Sequence, residues 1–142
     1  NCPGMDRTRR IIGRSYKLPI KKGDIFLLEK PRNSTDNKEE TKELRPWLVV
    51  QNDSGNKRSG NTVVVYITGT TDEKPYPMHV EISKEDYKII DNKYPFYEIA
   101  TIRTETIKTV GISSLKTKIA ELKENKIKEV NKALKIQFDI RD

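Results

Sequence analysis

The chain has little of what many enzyme sites are built from. Its 142 residues include one histidine, His79, and one cysteine, Cys2. A lone cysteine cannot form an internal disulfide, which is typical of a cytoplasmic protein. The same scarcity makes a Cys/His zinc site implausible and leaves only His79 for a Ser-His-Asp triad. The sequence also has no Walker-type phosphate loop and no nucleophile elbow, so we expect neither a metal nor a cofactor.

Long apolar stretches are missing as well. Hydrophobic residues make up 34% of the chain and charged residues 35%. No apolar run approaches the roughly 20 residues that a membrane-spanning helix needs, and no signal-peptide pattern is present. We therefore expect one compact domain with a small hydrophobic core, no membrane association and a cytoplasmic location.

The chain has fewer negatively charged residues than positively charged ones. The chain has 28 Lys and Arg against 21 Asp and Glu, a formal net charge of +7. This excess favours an acidic partner, although a merely soluble basic protein is the alternative. Four arginines lie between Arg7 and Arg14. Residues 1–20 are therefore predicted to be a basic N-terminal extension, which fits a disordered tail better than a nucleic-acid-binding arm, and residues 21–142 a single domain.

Short strands separated by polar loops dominate the predicted secondary structure. Strands are predicted at residues 21–30, 45–51, 62–69 and 79–82, with further strand pieces ending at Gly111. Residues 31–43 and 52–61 are predicted polar loops. Ser83 is predicted to cap one helical turn. Residues 112–123 fit either a helix or a short strand.

The end of the chain predicts a helix. Ile127, Val130, Leu134 and Phe138 form one apolar stripe at helical spacing, so we expect a helix over about residues 123–138. Short strands followed by a terminal helix favour a small, strongly curved barrel. The predicted class is mainly β with appended helices, within the α+β group.

Cations and hydroxyls at strand ends are the remaining candidates for chemistry. Arg45 begins the second predicted strand, Thr68 lies near the end of the third, and Arg103 and Thr104 lie in a later strand piece. A guanidinium presents a planar fork of donors that matches a phosphate, and a threonine hydroxyl can add one hydrogen bond. RNA carries its own nucleophile, so its cleavage needs only phosphate positioning, charge stabilisation and proton transfer. A surface salt bridge is the simpler interpretation of Arg45 alone.

The ordered segments resemble a known family. "KKGDIFLL", "RPWLVVQND", "VVVYIT", "HVEI", "IRT" and "EVNKALKIQF" occur in the order found in the MazF/PemK toxins of bacterial toxin–antitoxin systems, over residues 21–138. The resemblance implies a small SH3-like barrel of the MazF/PemK/CcdB type with a C-terminal helix. It also implies a type II toxin that acts as a metal-independent, sequence-specific endoribonuclease (an mRNA interferase). Such an enzyme cleaves single-stranded RNA to a cyclic phosphate and a 5′-hydroxyl, and so inhibits translation and growth.

The resemblance also implies partners and site residues. It implies a homodimer and an antitoxin whose extended, acidic C-terminal segment blocks the RNA groove. By position, Arg45 and Thr68 match the catalytic residues. The expected RNA contacts are Asn52, Asp53, Asn56, Arg103 and Thr104. For the two asparagines and Asp53, ordinary turn chemistry is the alternative interpretation.

Two positions depart from the family pattern. Many members carry an acidic residue and then glutamine just before "IRT", where this chain has Ala100 and Thr101. The departure predicts a different cleavage sequence or reduced activity. It keeps two alternatives open: a non-enzymatic toxin of the CcdB type that binds DNA gyrase, and a catalytically weakened homologue that binds only the antitoxin. The presence of both Arg45 and Thr68 favours the endoribonuclease.

Overall fold

The computed structural model describes residues 19–31, 43–71, 76–94 and 96–141. Most of the predicted N-terminal extension, with Cys2, and most of the 31–43 loop lie outside this part of the chain. In the described ranges, no helix combines the length and the apolar character needed to cross a membrane.

Seven antiparallel strands form one strongly curved sheet. They are β1 (Asp24–Glu29), β2 (Leu44–Val49), β3 (Asn61–Thr68), β4 (His79–Ser83), β5 (Tyr87–Ile89), β6 (Ile99–Gly111) and β7 (Lys118–Leu122). Their order in the sheet is β4-β6-β3-β2-β1-β7-β5, which nearly closes into a barrel. The predicted mainly β class is therefore confirmed.

The long strand β6 carries a bulge at its centre. Val65 of β3 pairs with Ile107, but the next residue, Tyr66, pairs with Arg103, so residues 104–106 are extra on the β6 side. Bulges bend a strand and redirect its side chains, and they are common beside functional sites. The two strand pieces expected before Gly111 are thus one strand with an irregular centre.

The predicted loop over residues 52–61 is wrong at its centre, where a short helix α1 (Asp53–Arg58) forms. Asn52 caps this helix, because its Oδ1 accepts a hydrogen bond of 2.8 Å from the backbone N–H of Gly55. The segment is rich in Gly, Asn and Ser, which have low intrinsic helix propensity. A cap and the buried side chain of Asn56 outweigh that propensity.

After β4, the predicted turn that follows Ser83 is observed, whereas strand β5 was not predicted. The backbone N–H of Ser83 donates to Asp86 Oδ2 at 2.8 Å and opens a 3₁₀ turn, Lys84–Asp86. Of the two alternatives for residues 112–123, the strand is observed as β7, preceded by a 3₁₀ turn at Ile112–Ser114.

The C-terminal helix α2 (Glu124–Gln137) agrees with the prediction to within one residue at each end. Val130 is buried, and Ile127 and Leu134 pack against the core. Phe138 was expected on the same apolar stripe, but it is 55% exposed because the helix ends at the preceding residue.

The core has two parts, one on each face of the β1–β2–β3 region. Because side chains alternate along a strand, Ile25 and Leu48 join the cluster under α2, whereas Phe26 and Trp47 join the opposite cluster. Trp47 is 1% exposed, and its Nε1 donates to the carbonyl of Glu29 at 3.0 Å. The strand that begins with Arg45 is therefore anchored on both sides.

A buried cation joins the first and last strands. Lys118 Nζ lies 3.1 Å from Asp24 Oδ1 and 2.6 Å from Glu121 Oε2. Burial raises the pKa of Asp24, even though Lys21 and Lys118 hydrogen-bond to it. Burial alone would lower the pKa of Lys118, but its bonds to Glu121 and Asp24 outweigh that effect and raise it. The ammonium group is therefore held charged in the fold.

Candidate active site

Arg45 and Thr68 lie at the same end of the paired strands β2 and β3. The register pairs Trp47 with Tyr66 and Val49 with Val64. This pairing ends at Trp47, two residues after Arg45, and at Tyr66, two residues before Thr68. The two residues predicted to be catalytic thus meet at one end of the barrel.

Both residues line a cavity of about 530 Å³. Its wall is formed by Lys30, Pro31, Arg45, Tyr66, Thr68, Gly69, Tyr97, Arg103 and Thr106. Among these described lining residues, three are cations, several carry hydroxyls, and none is a carboxylate. This composition suits a ligand with several negatively charged oxygens, and we call the space the phosphate cavity.

Arg103 enters the phosphate cavity next to the β6 bulge. Its Nε is buried and has no hydrogen-bond partner among the described residues. A buried donor left unpaired costs roughly 1–3 kcal/mol, and more when the group is charged.

The guanidinium of Arg45 is held by its own neighbours. Nη1 donates to the carbonyl of Leu44 at 3.1 Å, and Nη2 lies 2.5 Å from Glu43 Oε2. The side chain is 34% exposed and that of Glu43 is 49% exposed. A carboxylate therefore adjoins the arginine at the edge of the site. Glu43 belongs to none of the family motifs, because it lies at the end of a long polar segment. It was therefore not predicted as a site residue.

Thr68 is positioned by the segment that follows it. Its Oγ1 lies 3.2 Å from Thr70 Oγ1, and the carbonyl of Thr70 accepts a 2.8 Å hydrogen bond from Thr101 Oγ1. Thr101 is 2% exposed, and Ala100 is fully buried. Of the two residues that depart from the family pattern, Thr101 therefore holds the segment that follows Thr68, and Ala100 belongs to the hydrophobic core.

Tyr97 closes one side of the cavity. Its ring lies so close to Gly69 that a Cβ added there would be 2.7 Å from Tyr97 Cε1. Burial raises the pKa of Tyr97, while the nearby Arg45 cation partly offsets the shift. The phenol therefore stays protonated at neutral pH and is a donor. Tyr97, Lys30 and Thr106 were not predicted, because no motif marks these positions.

Three of the expected RNA contacts lie away from the phosphate cavity. Six residues, four of them in β2, lie between Arg45 and Asn52, so Asn52 and Asp53 follow the opposite end of that strand. Neither they nor Asn56 are among the described residues that line the phosphate cavity. The Oδ1 of Asp53 accepts from the backbone of Lys22 at 2.9 Å. Asn56 is 6% exposed, and it hydrogen-bonds Gln51 and Thr62. We therefore assign Asn56 a structural role, whereas the exposed Asn52 and Asp53 stay predicted contacts.

Two other candidates, Thr104 and His79, form hydrogen bonds away from the phosphate cavity. Thr104 is fully buried, and its hydroxyl donates to the carbonyl of Met78 at 2.6 Å, so a structural role replaces the expected RNA contact. His79 Nε2 lies 2.8 Å from Glu105 Oε2, and its ring packs against Tyr76. His79 is not among the residues that line the phosphate cavity. In the described ranges, no group of three His, Cys, Asp or Glu could hold a metal ion.

A small, nearly closed antiparallel barrel with a C-terminal helix and a cationic, hydroxyl-rich cavity defines a class, the small β-barrel proteins with a cavity suited to anions. The family described as "PemK-like, MazF-like toxin of type II toxin-antitoxin system" matches residues 21–138. The chain belongs to this family.

Individual relatives agree with this assignment. The endoribonuclease MazF of Staphylococcus saprophyticus is 34% identical over 121 residues, which cover 85% of this chain and 92% of that protein. A mycobacterial endoribonuclease, solved with its cognate antitoxin, has a TM-score of 0.63 at 20% identity, covering 87% of this chain and 98% of that one. MazF of Deinococcus radiodurans has a TM-score of 0.57 at 16% identity, covering 87% and 99%. The two structures establish likeness of fold.

Proposed function

We propose that this toxin is a metal-independent, sequence-specific endoribonuclease that cleaves single-stranded RNA. The observation that carries the proposal is the convergence of Arg45, Thr68 and Arg103 on one cavity that has no carboxylate among its described lining residues. The name of the S. saprophyticus relative, an endoribonuclease, supports it. The consequence of such cleavage is inhibition of translation and growth.

The proposed reaction is a transfer within the RNA. The 2′-oxygen attacks the adjacent phosphorus, the bond from phosphorus to the 5′-oxygen breaks, and the 2′-proton is lost while the 5′-oxygen gains one. The products are a cyclic phosphate and a 5′-hydroxyl. Arg45 and Arg103 stabilise the charge that develops on the phosphate oxygens, and Thr68 donates a hydrogen bond to one of them.

The reaction needs a proton acceptor and a proton donor. Arginine is a poor base because its guanidinium group is not deprotonated in proteins. The carboxylate of Glu43, 2.5 Å from Arg45, is the better acceptor for the 2′-proton. The raised pKa of Tyr97 keeps its phenol protonated at the other wall, where it can donate to the leaving oxygen.

Replacing Glu43 with glutamine is expected to lower kcat about 100-fold with little change in KM, since the general base is lost while the phosphate ligands remain. Steady-state cleavage of a short RNA measures both constants. Glu98→Gln is the matched control, because Glu98 is an exposed carboxylate that lies 3.7 Å from the Lys84 ammonium. An unchanged kcat with a lower KM would instead indicate that Glu43 competes with the RNA for Arg45.

The partners are proposed on the same basis. The net charge of +7 and the cationic cavity suit an acidic antitoxin segment that competes with RNA.

A homodimer is supported by an apolar end of the chain, where Ile136, Phe138 and Ile140 are each more than half exposed. Sedimentation equilibrium tests it, since a species of one chain mass, 16.5 kDa, would contradict a dimer. We propose a cytoplasmic location, where the RNA substrate lies.

Cleavage mapping tests the function against its alternatives. Purified protein is incubated with a long mixed-sequence RNA in EDTA, and the new ends are read by primer extension. Discrete cuts are expected. Absence of cutting by folded protein would overturn the proposal. A gyrase supercoiling assay would then separate a CcdB-type toxin from a weakened homologue that only binds antitoxin.

A further inference from the structure

A second cavity opens beside the phosphate cavity. It has a volume of about 260 Å³, and its lining includes Leu44, Arg45, Tyr94, Phe96 and Tyr97. Apart from Arg45, every described lining residue is aliphatic or aromatic. We call it the aromatic cavity, after the three rings of the segment that precedes β6.

The aromatic cavity adjoins the phosphate cavity. Arg45 and Tyr97 line both spaces. A ligand that places an anionic group against Arg45 would therefore hold its neighbouring atoms beside the aromatic cavity. One space is cationic and therefore complements the phosphate of a nucleotide. The other is apolar and therefore suits its base.

The aromatic wall is built and held in place before any ligand binds. The ring of Phe96 packs edge-on against Tyr87, with centroids 4.4 Å apart, and lies 5.6 Å from Tyr97. The hydroxyl of Tyr87 donates to the carbonyl of Tyr97 at 2.6 Å. At the rim, Tyr94 is 39% exposed and Leu44 is 52% exposed. A fixed aromatic wall with an exposed apolar rim is suited to a flat apolar ligand.

We propose that the aromatic cavity binds the base of a nucleotide adjoining the scissile phosphate, and so contributes to the choice of cleavage sequence. The inference rests on the proposed cleavage of RNA. Single-stranded RNA is commonly recognised by stacking of bases on aromatic side chains. The volume is below the roughly 300–1,000 Å³ of pockets for drug-sized ligands, which fits one base. The shared Arg45 and Tyr97 favour a base over a side chain of a peptide partner.

The test uses a short RNA that contains one mapped cleavage site. The nucleotides on either side of the scissile phosphate are made abasic, one at a time, and kcat/KM is measured for each RNA. For the wild type, one of the two abasic RNAs is expected to be cleaved roughly 5- to 50-fold less efficiently, as loss of one stacked base predicts.

Two variants then locate the effect. Tyr94→Ala removes an exposed ring at the rim, and Phe96→Leu thins the wall while keeping an apolar side chain. Both are expected to cleave the intact RNA less efficiently and to lose the penalty for the abasic one. Tyr76→Ala is the matched control, because Tyr76 is an exposed tyrosine outside the lining of either cavity, and it should keep the full penalty.

The outcomes separate the two proposals. An abasic penalty as large in folded Tyr94→Ala and Phe96→Leu as in the wild type would overturn the base site and leave the cavity to a peptide partner. Absence of any penalty in the wild type would do the same. Failure of the folded wild type to cleave any RNA would instead overturn the proposed function, and the base site with it. Thermal unfolding of each variant verifies that it is folded.

Discussion

Arg45→Ala is expected to lower kcat/KM for RNA cleavage about 10²- to 10³-fold without unfolding the protein. Removal of one preorganised donor to a developing oxyanion has an effect of this size. The change should leave the fold intact because Arg45 begins β2 and is one-third exposed, while Trp47 and Leu48 anchor the strand. Initial rates on a short RNA and a thermal unfolding curve measure the two properties.

Two further variants make the Arg45 result specific. Arg45→Lys keeps the charge but loses the planar fork of donors, so it should recover only a small part of the activity. Arg58→Ala removes the same charge from the exposed last turn of α1 and should cleave at nearly the wild-type rate. Equal losses in Arg45→Ala and Arg58→Ala would show that general charge, and not the site, is responsible.

Lys118→Met is expected to lower the free energy of unfolding by about 3–5 kcal/mol, because breaking a buried ion pair leaves a buried charge without its partner. The uncompensated group is Asp24, which is 2% exposed. Burial already raises the pKa of Asp24, so loss of the ammonium raises it further. Urea unfolding at pH 7, followed by tryptophan fluorescence of Trp47, measures the loss.

The double variant Asp24→Asn/Lys118→Met isolates the cause. With the carboxylate removed, much of the lost stability should return, and the double variant should be more stable than Lys118→Met. Lys132→Met, at an exposed position of α2, is the surface control and should change stability by less than about 0.5 kcal/mol. A Lys118→Met cost as small as the control would contradict a stabilising role for the ion pair.

Much of the fold could be predicted because its signals are local. The β-branched run of β3 is buried on both faces, and the spacing of Val130 and Leu134 predicts α2. The exceptions depend on tertiary contacts. Helix α1 depends on a cap and on the burial of Asn56, which bonds Thr62 from outside the helix. The exposure of Phe138 depends on where α2 ends, which an apolar pattern alone does not specify.

The site could be predicted in part for a similar reason. Arg45 and Thr68 belong to motifs, and an antiparallel register brings them together. Glu43 is held at the site by its ion pair with Arg45, and Tyr97 is held there by packing on Gly69. No sequence pattern indicates either contact. Thr104 follows Arg103 in the chain, but the side chains of adjacent strand residues point in different directions. The hydroxyl of Thr104 donates a hydrogen bond to the carbonyl of Met78.

The central claim is that the phosphate cavity cleaves RNA by using the RNA's own 2′-hydroxyl. The most direct measurement compares a short RNA carrying the mapped cleavage site with the same RNA bearing a single 2′-deoxy nucleotide just before the scissile phosphate, both in EDTA. The account predicts that the intact RNA is cut to a cyclic phosphate and a 5′-hydroxyl, seen by mass spectrometry. It predicts that the 2′-deoxy RNA still competes for binding but is not cut. Cleavage of both RNAs at similar rates would contradict the account.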